Sequence, residues 1–212
     1  MCNIFELLVV DIFKNVNYHL IMKTTYLDPN LYNKIYSILQ YSNALALRVS
    51  LETGLRIDDV LKLKKSDLKG RTITGVAEKT GKKFKKVLSA DLTRRLKEVG
   101  DSVWFFPHRF KTDDHRTRQT VWKDVKKAVK ILKLGGNVAP HSARKTYAVE
   151  LFKDSGIDKV QKELQHDNTS TTMLYAFADI LQGSARNTPD IDSICEKIAE
   201  KTAALLEKRL NL

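Results

Sequence analysis

His141 and Arg144 stand three positions apart in HSARKTYA, a spacing that puts both on one face of a helix. Four more polar residues lie in short motifs along the chain: Arg56 in TGLR, Lys79 in EKTGKK, His166 in LQHDNTSTT and Tyr175 in TTMLYA. These residue types suit reaction at a phosphodiester. Such a group repels nucleophiles, and attack on it loads further charge onto its nonbridging oxygens. Arg56 and Arg144, permanently protonated and fork-shaped, can hold those oxygens and favour the transition state over the ground state. His166 can add a hydrogen bond. A tyrosine hydroxyl, with an ordinary pKa near 10, becomes a nucleophile beside a base in a cationic pocket, and His141 is the candidate base. A lysine whose pKa neighbouring cations lower can return a proton to the leaving 5′ oxygen.

Each of these residues has a structural reading as well. Arg56 can cap a helix or pair with Asp59, and Tyr175, beside Met173, Leu174 and Phe177, can be a core residue. Lys79 belongs to a lysine-rich hairpin in which any single amine can be merely solvated, with Lys82 and Lys83 as rivals on the same turn. His108 and His115 have no thiol or acid at metal-ligating spacing and are read as loop residues, so no metal site is expected.

The elements that must position these groups are legible from local signals. Asp28-Pro29 predicts a helix start running to about Gln40, and a second helix from near Ser42 ends at Gly54. A short helix follows over Ile57 to Leu63. Arg71 to Glu78 and Lys85 to Ser89, flanking Thr80-Gly81-Lys82, read as a β-hairpin. Ser89 caps a helix reaching Val99, Val103 to Phe106 reads as a buried apolar run, and Thr117 caps a helix from Arg118 to Leu134. Pro140 opens another, from His141 to about Asp154, stopped near Gly156. Asp158 caps a short helix to about Gln165, a further one holds Tyr175, and a last one spans Pro189 to about Leu210. The expected class is mainly α with a small antiparallel β-sheet.

Charge narrows the partners. The 212 residues carry 37 Lys+Arg against 25 Asp+Glu, a net charge of +12. Residues 56–133 alone hold 23 basic and 10 acidic side chains, so the whole excess is concentrated there. A concentrated positive field is what counterion release on a phosphate backbone requires, which makes nucleic acid the leading partner. Anionic membrane competes less well, because the charge is spread over mixed elements instead of one amphipathic helix. No apolar run approaches the roughly 20 residues of a membrane span. Cys2 and Cys195 have no CxxC companion, so a reducing, cytoplasmic compartment is expected.

Taken together, TGLR with Asp58-Asp59 following, the KTGK hairpin, HSARKTYA, LQHDNTSTT and the tyrosine segment resemble the tyrosine recombinases, the phage integrase family. The resemblance covers about residues 42–180. It implies the mainly helical catalytic-domain fold with a small sheet, and a catalytic set of Arg56, Lys79, His141, Arg144, His166 and Tyr175, with Lys79 as general acid. It also implies cleavage and rejoining of double-stranded DNA through a 3′-phosphotyrosine, without ATP, metal or other cofactor; no Walker loop and no paired-carboxylate site is found in the sequence. The helix from Arg118 is expected in the major groove, using Arg118, Gln119, Trp122, Lys123 and Lys126. Lys62, Lys64, Lys65, Lys83, Lys85 and Lys86 are expected as phosphate contacts.

Three segments follow: residues 1–21 as an N-terminal extension, 22–180 as the catalytic domain, and 181–212 as a tail helix. The tail's stripe of Ile191, Ile194, Ile198 and Leu205 can pack on its own body or dock on a neighbouring protomer. Family members usually carry a helical DNA-binding domain ahead of the catalytic one, and here only 55 residues precede Arg56. A homo-oligomer on DNA, tetrameric by resemblance, and a separate DNA-binding partner are therefore expected. Two alternatives use the same residues: a DNA-binding protein without turnover, and a topoisomerase IB-like relaxing enzyme.

Overall fold

A computed structural model of the chain describes residues 24–111 and 113–164. The chain divides into two compact units, residues 1–146 and 147–212. The first unit begins with α1 (Pro29–Tyr36), capped by Asp28, whose Oδ1 accepts the Asn30 amide at 2.7 Å. The helix stops short of the predicted Gln40. The Ser37 hydroxyl donates to the Lys34 carbonyl at 2.8 Å and satisfies an acceptor that a further turn would have used. Central to the unit is α2 (Tyr41–Thr53), which buries Leu45, Leu47 and Val49 and even the polar Asn43 and Ser50. Its start is capped from outside: Asp124 Oδ2 accepts the Gln40 amide at 2.8 Å and the Asn43 side chain at 2.7 Å.

Gly54 ends α2 with φ 72°, its amide donating to the Ser50 carbonyl at 2.9 Å. A residue with a Cβ takes this left-handed turn only at a cost. The turn delivers Arg56 to the N-terminal cap of α3 (Ile57–Leu61).

Next comes a three-stranded antiparallel sheet, β1 (Leu68–Lys69), β2 (Thr72–Val76) and β3 (Lys83–Val87), in that spatial order. The hairpin was expected from sequence; two-residue β1 was not. Ile73 and Phe84 are buried while Thr74, Lys83 and Lys85 face solvent, the period-two pattern of a half-buried sheet. Gly75 is opposite Phe84, and the phenyl ring fills the space above it: a Cβ on Gly75 would meet Phe84 Cζ at 2.5 Å. Between the strands, the Ala77 carbonyl accepts the amides of Thr80 at 3.3 Å and Gly81 at 2.8 Å, and the Ala77 amide donates to the Lys82 carbonyl at 2.9 Å. Lys79 therefore sits on a tight, internally bonded turn.

Ser89 caps α4 (Ala90–Lys97), its Oγ accepting the Leu92 amide at 3.2 Å. The apolar run at Val103 is only partly inward: Phe105 and Phe106 are buried, but Val103 is 66% exposed. The run pairs with the chain before β1, the Lys65 amide donating to the Val103 carbonyl and the Phe105 amide to that of Leu63. Thr117 caps α5 (Arg118–Ile131), which buries Val121, Val125, Ala128 and Val129 and ends a turn earlier than predicted, before Lys133 at φ 51°. Last is α6 (Pro140–Leu164), broken at Gly156 (φ 73°, ψ 179°), where sequence placed a helix stop. Its first turns belong to the first unit and the remainder to the second, in which Val149, Phe152, Val160 and Leu164 are buried. The predicted extension (1–21), the tyrosine helix and the tail helix lie outside the described residues. No described helix is long and apolar enough to cross a membrane.

Substituting Gly75→Ala forces the Phe84 ring to move, and we expect a loss of about 1–3 kcal/mol in urea denaturation, partly recovered in Gly75→Ala/Phe84→Leu. An unchanged midpoint for the single variant would contradict this packing.

Candidate active site

A cavity of about 770 Å³ opens on the first unit, lined by the start of α3, the β2–β3 turn, the first turns of α5 and the first turn of α6. Arg56, Lys79 and His141 come from three of these elements and all line it. Arg144, one helical turn beyond His141, is 3% exposed, and its Nη1 donates to the Gly54 carbonyl at 2.6 Å. Thus the glycine whose turn delivers Arg56 also holds the second arginine. His166 and Tyr175 lie outside the described residues.

The electrostatics show how closely the cations gather. His141 keeps an exposed edge, yet its pKa is pushed from the ordinary 6.5 to about 4, first by loss of hydration and then by Arg144, Lys145, Arg56 and Lys79. The ring is therefore neutral at physiological pH, the state in which it can accept a proton. Lys145 is a residue that sequence reasoning missed, because only its place after Arg144 hinted at a role. It is 5% exposed, its amine donates to the Thr24 carbonyl, and burial lowers its pKa to about 8.

Carboxylates brace the same wall. Asp59 Oδ1 accepts the Glu78 amide at 2.9 Å, and Lys62 pairs with the Glu78 carboxylate at 2.6 Å, anchoring the turn on which Lys79 rides. The hydrogen bond and charge of Lys62 hold Glu78 below the usual carboxylate range. Arg118 reaches Asp58 at 3.4 Å.

Other expected DNA contacts have varied surroundings. Gln119 and Trp122 line the cavity beside Arg118, Trp122 being 47% exposed. Lys126 donates to Asn137 Oδ1 at 2.6 Å and stands 5.8 Å from the centre of the Trp122 ring, while Lys123 is exposed. Lys83 and Lys85 project from β3 into solvent, and Lys86 is half-buried. Lys64 lies 5.1 Å from the centre of the Trp104 ring. The Lys65 amine donates to the Val99 carbonyl at 3.0 Å and to that of Gly100, so it closes the end of α4.

Residues 25–180 match the family model described as the phage integrase family. The chain belongs to the phage integrase family. This family member is 33% identical over 159 residues to tyrosine recombinase XerA of Pyrococcus horikoshii, a match covering 73% of this chain and 53% of the relative. It thus spans about half the length of the curated relatives it matches. Its fold is that of a λ integrase dimer bound to a COC′ core site (TM-score 0.65, 20% identity, 79% of this chain and 51% of that one). It is also that of XerH site-specific recombinase in a post-cleavage complex with palindromic difH (TM-score 0.60, 20% identity, 75% and 51%).

An NMR titration of the His141 ring is expected to give a midpoint near 4. Lys79→Ala or Arg56→Gln removes a cation and moves it up, towards 6.5. Because the unfolded ring binds a proton that the folded one refuses, stability due to His141 is complete above 6.5 and falls as pH drops towards 4. A midpoint of 6.5 that neither variant moves would show that the cations do not converge.

Proposed function

We propose that this family member is a site-specific DNA recombinase that cuts and rejoins double-stranded DNA through a 3′-phosphotyrosine on Tyr175. The observation that carries the reading is the meeting of Arg56, Lys79 and His141 at one cavity, with Arg144 directly behind. In the forward step the Tyr175 oxygen attacks phosphorus while its proton passes to His141. The bond from phosphorus to the 5′ oxygen breaks, and that oxygen takes a proton from Lys79. Arg56 and Arg144 balance the charge that grows on the nonbridging oxygens, with His166 adding a hydrogen bond. Rejoining is the reverse, with an incoming 5′ hydroxyl as nucleophile. The phosphotyrosine conserves the bond, so neither ATP nor a metal is required.

Around this centre α5 enters the major groove with Arg118, Gln119 and Trp122 leading, and the lysines of β3 meet phosphates. The working state is a homo-oligomer on DNA, tetrameric by family resemblance and in keeping with the λ integrase tetramer bound to a Holliday junction. The reaction takes place in the cytoplasm.

Nicked duplexes drawn from a randomised library trap the intermediate, because the short 5′ fragment diffuses away. A covalent adduct is expected, absent in Tyr175→Phe. Arg56→Ala is expected to slow it at least about 100-fold with an unchanged melting temperature; Arg56 is half-exposed, whereas the buried Arg144 also supports the fold. Retarded DNA with no adduct on any duplex would mark a binding protein without turnover. Relaxation of supercoiled plasmid without sequence preference would mark a topoisomerase.

A further inference from the structure

The segment from Pro107 to His115 leaves the first unit as a loop with a closed base. Pro107 bridges His115, the His108 amide donates to the Asp114 carbonyl at 2.9 Å, and the Arg116 amide donates to the Phe106 carbonyl at 2.7 Å. Beyond that base Phe110 is 82% exposed, the greatest exposure of any large apolar side chain among the described residues. Isolated surface hydrophobes are ordinary, but this one is held outward by bonds of its own. His108 Nδ1 accepts the amides of both Phe110 and Lys111 at 3.2 Å. The His108 ring meets the phenyl edge-on at 6.3 Å, and the Arg109 guanidinium lies 5.3 Å from its centre. The ring thus has the Arg109 guanidinium beside it and Lys111 next in the chain. The loop's acids are on the returning limb, where Asp114 Oδ1 accepts the His115 amide at 2.7 Å.

The loop also springs from the rim of the catalytic cavity. His115 and Asp59 line one adjoining pocket, Asp59 also lines the catalytic cavity, and so does Arg118, two residues past Arg116. Phe110 lies three residues past Pro107, a span of at most about 10 Å.

Resting on the DNA-cleaving reading above, we propose that Phe110 is a wedge that inserts between adjacent base pairs beside the cleavage site, with Arg109 and Lys111 on the flanking phosphates. A phenyl ring gains burial and stacking only against a base face, and the cations beside it suit the backbone on either side of an opened step. A protein surface is the poorer fit, because the same two cations would be desolvated with the ring.

The test uses the full chain carrying Tyr175→Phe, which still binds DNA under this reading and does not cut, so that the outcome is independent of catalysis. Duplexes with 2-aminopurine at successive positions report unstacking. A rise of about twofold or more is expected at one or two adjacent positions close to the cleavage site. Adding Phe110→Ala abolishes it with an unchanged melting temperature, and Phe110→Trp restores it. A rise that survives Phe110→Ala, or no rise at any position despite bound DNA, overturns the wedge. Unaltered stacking signals together with altered sedimentation of free Phe110→Ala protein would instead assign the ring to a protein contact.

Discussion

The carbonyl oxygen of Gly54 is the acceptor around which the cationic cavity is organised. The Gly54 amide closes α2 in a left-handed turn that leads the chain to Arg56 at the start of α3, and the Gly54 carbonyl receives the Arg144 guanidinium from α6. Arg56 and Arg144 are 88 positions apart in sequence, yet one peptide unit sets both. Glycine suits the position because its positive φ carries no Cβ penalty. The hydrogen bond is also charge-assisted, and so worth more than a neutral one.

Gathering like charges is costly, and the fold shows how the cost is borne. Arg144 and Lys145 are buried behind the wall with backbone carbonyls as acceptors, while Arg56 and Lys79 stay in contact with solvent. Asp58, Asp59 and Glu78 edge the same cavity and temper the field. Their contacts are directed at Arg118, at the Glu78 amide and at Lys62, so they brace the turn beneath Lys79 and the α5 wall. Loss of hydration, and after it the repulsion that persists among the cations, makes His141 give up its proton far below the ordinary histidine range. Under the proposed function, a phosphodiester entering the cavity would relieve this repulsion, and the charge that develops during attack would relieve it further, which is the sense of a site complementary to a transition state.

Local chemistry made much of this legible in the sequence. Asp28-Pro29, Gly54, Thr117 and Pro140 are end signals whose physics is confined to a few residues, and helices begin or end where they stand. The hairpin followed from its Thr/Ile/Val pattern around Gly81. Features that depend on distant partners were not legible. Lys65 looks like any surface lysine until the end of α4 arrives beside it. Val103 belongs to an apolar run, yet its carbonyl accepts the Lys65 amide while its side chain stays exposed. Lys145 shows its burial only once Thr24 lies against it. Motif order suggested the meeting of Arg56, Lys79 and His141, and folding is what places them at one cavity.

The central claim is that this cavity receives the scissile phosphate. The most direct measurement is a crystal structure of the full chain with a nicked duplex that it has cleaved. The account predicts the phosphate joined to Tyr175, its nonbridging oxygens within about 3 Å of the Arg56 and Arg144 guanidinium groups and the freed 5′ side facing Lys79. A phosphate held elsewhere, with Arg56 and His141 facing solvent, would contradict it.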